Sequence, residues 1–368
     1  MKGIVIWAHS VCRSVMALYR EMGRSAGCPV KIVLWKAPPV DGGSRVKIGF
    51  RSDEFADLDF ETVEENREKG RAIVNSHQGW LHLFCVVQAS PCFREMLLLA
   101  KNNGNRVGVM CEAPCNMASG WRRPLKALYM KTMLKYKMRS IIKEAEFFVD
   151  YSGDDNGIAK GIGWSQNKLI PFGYFPPPIE GSSIVKRQTN DPFVVLSTGI
   201  LSKYRGADVL VEALRILKER GIVFQAIITQ DGELKGDLVA KTVKYNLPIE
   251  FPGRVDMCDL IKLYETCSVY VGSGRSEPWG MRLNDALNCG APLVVSRGMG
   301  GVKLVDDYGC GLSFEAGNAC SLADALSRLA EDNKLYCKCS ESAVVAAEKI
   351  HPQVKGRELM EIIKGRVE

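Results

Sequence analysis

Two carboxylates, Glu277 and Asp285, stand eight positions apart in the stretch SEPWGMRLNDALNCGAPLVVS, with Trp279 and Gly280 between them. An apolar run, SVYVGSG, precedes them and reads as a strand ending at Gly274. The residue before a proline avoids helical geometry, so Glu277-Pro278 sets an extended approach at the strand end. A helix is then expected to start near Trp279 or Gly280. Its first amides, at Gly280, Met281 and Arg282, have no partner within the helix and suit a phosphate. Asp285 would lie about two turns in, roughly 12 Å along the axis from Glu277. Carboxylate oxygens accept hydrogen bonds from hydroxyls. One acid can therefore hold a sugar and the other a ribose, with a pyrophosphate between them. The same pattern also fits an acid favoured near a helix amino end by the dipole alone.

A second candidate lies upstream in STGILSKYRG. It reads as a strand end, a loop and a helix start, with Lys203 and Arg205 beside the free amides. This is an anion site or an ordinary loop with two solvated cations. TQDGEL (229–234) places Asp-Gly at another strand end, which alone is only a turn.

These loops need a scaffold, and the hydrophobic pattern supplies one. GIVIWA, VKIVLW, LHLFCVV, RVGVMC and AEFFVDYS are short apolar runs separated by helical segments. PFGYFPPPIEGSS (171–183) follows, with four prolines and two glycines in thirteen residues, and forms the best boundary. The alternation then resumes with FVVLSTG, VFQAIIT, IEFPG and SVYVGSG. The expected fold is α/β, with two doubly wound Rossmann-like domains facing across a cleft. The expected division is an N-terminal domain over 1–178 and a second over 179–350, with a C-terminal helix over 351–368 that has packing back on the first domain as one option. Ligands in such sheets sit beyond the carboxyl ends of the strands, here the cleft.

Composition narrows the classes. The chain has 368 residues, 46% hydrophobic and 25% charged. No apolar run approaches the roughly 20 residues that cross a bilayer, and the start is too short for a signal core, so the chain reads as cytoplasmic. Thirteen cysteines include no CxxC pair, and Cys111/Cys115 and Cys337/Cys339 do not have zinc-knuckle spacing. No metal site is expected. Charge is uneven. Residues 1–180 carry 25 Lys and Arg against 18 Asp and Glu, whereas 181–368 carry 24 of each. Trp121 to Lys143 holds eight cations and no acid, interleaved with Leu, Met and Tyr. That segment reads as an amphipathic face for an anionic membrane surface, or as a surface helix whose apolar stripe packs on the sheet. Nucleic acid is not expected, because no binding motif for it is present.

SEPWGMRLNDALNCGAPLVVS resembles the signature of glycosyltransferase family 4, a family of retaining nucleotide-sugar glycosyltransferases with the GT-B fold. TGILSKYRGADVLVEAL, IITQDGEL and IEFPGRVDMCDLIKLYETCSVYVGSGRSEPWG extend the likeness, which is specific over most of 190–310. RVGVMCEAP and KLIPFGYF resemble segments of polysaccharide-assembly members. The resemblance implies that Glu277 contacts the donor sugar, Asp285 the ribose, and the amides of Gly280 to Arg282 the diphosphate. Arg205 stands where the family usually has a phosphate-binding lysine, Val255 would lie at the base, and Glu112 falls near the place where many members keep a histidine by the donor sugar. Ile200 replaces a usual arginine, so one phosphate cation is missing unless Lys203 substitutes for it, and Asp285 replaces a usual Glu. The expected activity is transfer of a sugar from a nucleotide-sugar donor to a glycan or lipid-linked acceptor of surface-polysaccharide assembly, with no further cofactor. A nucleotide-sugar epimerase of the same fold and a non-catalytic sugar-nucleotide-binding partner are the alternatives.

Overall fold

The computed structural model describes residues 1–9, 13–35, 58–64, 66–85, 90–113, 125, 128–153, 158–187 and 192–367. They divide into two compact units, the described residues up to 177 with 352–367, and residues 178–351.

The first unit is built on seven strands: β1 (Ile4–Ala8), β2 (Val30–Leu34), β3 (Asp59–Thr62), β4 (Leu81–Phe84), β5 (Arg106–Cys111), β6 (Phe147–Asp150) and β7 (Leu169–Pro171). They lie in the order β3-β2-β1-β4-β5-β6-β7 with parallel pairings. Helices α1 (Arg13–Ala26), α2 (Arg67–Ser76), α3 (Pro91–Asn102), α4 (Lys135–Glu144) and α5 (Ile158–Gly161) connect them. IVIWA is buried along its whole length because a parallel sheet is covered on both faces. Trp7 stacks on Phe84 at 5.3 Å and meets the edge of Phe93 at 5.4 Å, which fastens α3 to the sheet. The start of α3 follows from its sequence. Ser90 accepts from the Phe93 amide at 3.0 Å, and Pro91 occupies the first turn. Pro171 is tolerated because β7 is an edge strand.

The second unit has six parallel strands: β8 (Val194–Thr198), β9 (Gln225–Thr229), β10 (Ile249–Gly253), β11 (Val269–Gly272), β12 (Leu293–Ser296) and β13 (Gly311–Phe314), in the order β10-β9-β8-β11-β12-β13. Its helices are α6 (Ala207–Glu219), α7 (Lys235–Lys244), α8 (Met257–Thr266), α9 (Met281–Asn288), α10 (Val302–Tyr308), α11 (Ala319–Glu331) and α12 (Asn333–Lys349). The chain then returns to the first unit through α13 (Pro352–Val367), which lies along α1. A Cβ on Gly356 would come within 2.6 Å of the Glu21 Cβ, so this contact requires a glycine. Arg366 donates to the Leu169 carbonyl at 3.2 Å and holds the far end of α13.

One buried cation ties the second unit together. Arg187 is 8% exposed, and its guanidinium donates to the carbonyls of Cys267, Tyr264, Val185 and Cys289 at 2.5–3.2 Å. Three of these carbonyls lie in the ends of α8 and α9, where the helix dipole favours a positive charge. Arg187→Ala strands them and should cost about 3 kcal/mol or more. A lowered thermal midpoint is expected, and an unchanged midpoint would show that this arginine does not hold these helix ends together.

The first unit holds a buried imidazole. His82 has no exposed surface, accepts from Trp7 Nε1 at 3.2 Å through Nδ1, and faces the His77 carbonyl with Nε2 at 3.3 Å. Burial lowers its pKa to about 4. The unfolded chain therefore takes up a proton that the folded one refuses, and stability falls as pH drops from about 6.5 to about 4. The full effect is about 3 kcal/mol. Unfolding midpoints measured from pH 7 to pH 4 should decline less steeply for His82→Gln than for the wild type. Equal slopes would rule out a neutral buried His82.

Candidate functional site

The strand order of the second sheet reverses between β8 and β11, and there the two loops that follow these strands meet. Such a switch point leaves a crevice beyond the strand ends. Gly206, with φ +70°, caps α6, and a Cβ placed on it would lie 1.9 Å from the Ser273 carbonyl oxygen. Only glycine permits that approach. Ser273 Oγ donates to the Arg205 carbonyl at 3.0 Å, and the Arg275 amide donates to the Tyr204 carbonyl at 3.0 Å. The Arg275 guanidinium spans Asp208 at 2.6 and 2.8 Å and also reaches the Lys203 carbonyl at 2.5 Å. A forked guanidinium on a carboxylate fixes orientation as well as distance.

Glu277 lies in the second of these loops, beyond the end of β11 at Gly272. Its backbone pairs with the loop after β12: its amide donates to Gly298 at 2.8 Å, and its carbonyl accepts from Gly300 at 3.0 Å. So held, its Oε1 accepts directly from Arg205 Nη1. Gly280, with φ +99°, caps α9. Arg205, Glu277, Gly280 and Arg282 line one pocket, with Tyr270 and Met299 among its other walls. Beneath them the Thr198 hydroxyl pairs with those of Tyr264 and Tyr270 at 3.0 Å each. Burial raises the Tyr270 phenol, so it keeps its proton. The pocket thus combines two guanidiniums, one carboxylate, hydroxyls and a helix start. That set suits an anionic group joined to a polyhydroxyl one.

The helix begins at Met281, one to two residues later than the spacing of the sequence implies, because Gly280 takes the left-handed cap conformation. β11 also ends two residues earlier than Gly274. Asp285 is therefore just over one turn into α9. It sits 3.8 Å from Arg282 and is not among the pocket-lining residues. Met281 is 44% exposed outside the pocket lining. Lys203 is exposed, and its carbonyl serves the two loops rather than its ammonium. Ile200 is exposed beyond the pocket, and Arg282 supplies a second cation there. Val255 is half-buried, just before Asp256, the cap of α8. The bracing pair Arg275 and Asp208 escaped sequence reasoning, since 67 positions separate them and no motif links them.

In the first unit, Glu112 directly follows β5. Its carboxyl is raised above the usual range by loss of solvent, with a hydrogen bond from Tyr174 opposing the rise and the nearby Asp150 adding to it. Asp150 ends β6 and is 2% exposed. Its Oδ1 accepts from the Ala113 amide, the Ser152 amide and Ser152 Oγ at 2.6–3.0 Å, which anchors the turn carrying Glu112. Nothing in the spacing of the sequence singles Asp150 out. Among the described residues, no group of three or more His, Cys, Asp or Glu side chains is placed to hold a metal ion.

Residues 182–344 match the family model described as glycosyl transferases group 1. Over 110 residues, 30% of this chain and 28% of the relative, the sequence is 31% identical to a GDP-mannose-dependent alpha-(1-6)-phosphatidylinositol dimannoside mannosyltransferase of Mycobacterium tuberculosis. Over 153 residues, 39% of this chain and 37% of the relative, it is 29% identical to the amylovoran biosynthesis glycosyltransferase AmsK of Erwinia amylovora. The chain thus matches well under half the length of these curated relatives. The structure is similar to that of Anabaena HepE in complex with UDP, with a TM-score of 0.69, 13% identity, and coverage of 99% of this chain and all of the other. Two parallel-sheet α/β units with this likeness give the chain the GT-B fold, and its second unit carries the glycosyl transferases group 1 match.

Proposed function

We propose that the protein is a retaining glycosyltransferase of family 4 that moves a sugar from a nucleotide-sugar donor to a glycan or lipid-linked acceptor of surface-polysaccharide assembly, in the cytoplasm at the inner face of the membrane. The observation that carries this reading is the Arg205–Glu277 pair, which shares its pocket with Arg282 and the start of α9. A nucleoside diphosphate leaves with negative charge that grows in the transition state. Fixed cations and amides aimed at that charge lower the barrier, because they need no rearrangement during the reaction. Arg205, Arg282 and the amides of Gly280 to Arg282 take that role, with Lys203 at its edge. Glu277 accepts hydrogen bonds from the donor sugar, Asp285 from the ribose, and the backbone at Val255 meets the base. Glu112, near the donor sugar, presents a carboxyl with a raised pKa.

The comparisons support a nucleotide-sugar donor without choosing its base. One relative is named for GDP-mannose, and the structural neighbour binds UDP. The AmsK match supports an acceptor in polysaccharide assembly.

Nucleoside diphosphate release from a panel of nucleotide sugars, with membrane-extract acceptors, tests the reading. Glu277→Gln keeps the shape and removes the charge. It should lower transfer by about 100-fold or more while leaving the unfolding midpoint near that of the wild type. Wild-type turnover by this variant would remove Glu277 from the mechanism. An altered sugar on an intact nucleotide, formed without acceptor, would instead identify an epimerase. Binding of a nucleotide sugar with no release under any condition would identify a non-catalytic partner.

A further inference from the structure

The basic segment of the first unit presents two apolar faces rather than one. Leu134, Met138 and Ile141 point inward and join the core cluster that contains Phe148. Leu125, Leu128, Tyr129, Met133 and Tyr136 point outward and are 43–76% exposed. From Leu128 onward their spacing keeps them to one side of a helix. Thr132, between them, satisfies its hydroxyl on the Leu128 carbonyl at 2.8 Å, so the strip carries no polar group in need of a partner there. Residues 130–134 form a π-helical turn that passes into α4. Trp121 and the cations at 122, 123 and 126 lie outside the described residues.

Lys135, Lys137, Arg139 and Lys143 are exposed along the same segment. Lys143 alone of the four forms an ion pair among the described residues, 3.6 Å to Glu144. Lys137 Nζ stands 5.8 Å from the centre of the Tyr129 ring. Single exposed apolar side chains are ordinary on a protein surface, but a row of them beside cations of which three form no ion pair among the described residues is not.

We infer that this outer face is a docking surface for an anionic lipid bilayer, with Leu128, Met133 and Tyr136 entering the headgroup boundary and the four cations meeting lipid phosphates. Charge complementarity selects the occupant. A second copy of the chain would bring one basic face against another. An anionic bilayer offers an apolar interior and a negative surface together, and each component of the strip matches one of them. The inference extends the proposed lipid-linked acceptor by naming the surface that brings the protein to it.

The test is flotation of the full chain with vesicles, which needs no turnover and so stands or falls apart from the proposed reaction. Wild-type protein should float with phosphatidylcholine vesicles that contain phosphatidylglycerol. With phosphatidylcholine alone, it should bind at least tenfold less. Lys135→Gln/Lys137→Gln/Arg139→Gln should bring binding to anionic vesicles down toward that level. Leu128→Ser/Met133→Ser/Tyr136→Ser should lose at least tenfold with its charges intact, and these exposed changes should leave the unfolding midpoint near that of the wild type. Absence of wild-type flotation, or equal flotation by the apolar triple variant, overturns the proposal. Concentration-dependent dimers that this triple variant abolishes, without vesicle binding, overturn it in favour of a second copy.

Discussion

The candidate site depends on a backbone contact that excludes a side chain. Gly206 brings the start of α6 against the Ser273 carbonyl at the end of β11, closer than any Cβ allows. That approach places Arg205, the preceding residue, beside the loop that carries Glu277. Arg275 then fixes the approach from the other side by spanning Asp208 and the Lys203 carbonyl. The loop after β12 completes the arrangement, because Glu277 is held there by two backbone hydrogen bonds in the manner of a short strand. Three separate strand ends therefore act as one rigid unit. Rigidity matters for the proposed transfer because electrostatic stabilisation requires charges that are already in place.

The pairing of Arg205 with Glu277 has a consequence for ligand entry. With no ligand bound, each charge neutralises the other across a partly exposed contact. For the proposed nucleotide-sugar donor, an incoming phosphate would share Arg205 with the carboxylate, while the sugar hydroxyls would offer Glu277 new donors. A ligand that has both groups, correctly spaced, replaces each lost interaction. One that has only the phosphate leaves Glu277 with a weakened partner. Arg282 is a second cation on the same wall, so the phosphate does not depend on Arg205 alone. Under the proposed function, selectivity for a joined anion and polyhydroxyl group would follow from this exchange of partners.

Much of the architecture was legible because its signal is local. Alternating apolar runs fixed the strands β1, β2, β5, β6 and β8 to β11 near their observed limits, and the proline-rich segment at 171–183 falls where one unit gives way to the other. The acids and cations of the site were visible as residue types near strand ends. What the sequence left hidden is non-local or conformational. β3, DFET, has two acids in four residues and pairs only because β2 lies beside it. The start of α9 moved because the left-handed geometry of Gly280 is a property of the folded loop. Asp150 gained its place from the buried amides of Ala113 and Ser152, which no spacing rule reveals. The basic segment left two readings open, and the structure gives it an inner and an outer apolar face, since a helix has room for both.

The uneven charge of the two halves follows from how their cations are used. In the second unit, Arg275 is engaged by Asp208, Arg215 and Lys241 by Glu212, and Arg205 by Glu277. Opposite charges at such short range cancel one another's field beyond a few ångströms. An anion is then recognised by the few groups that line the pocket, not by the net charge of the domain. In the first unit, the cations of 135–139 form no ion pair among the described residues, so their fields add and extend outward over an apolar strip. A paired cation reads the shape and chemistry of one ligand. An unpaired row reads only sign and surface. Under the two proposals, the first arrangement serves the pocket and the second the outer face, and no single distribution of charge would serve both.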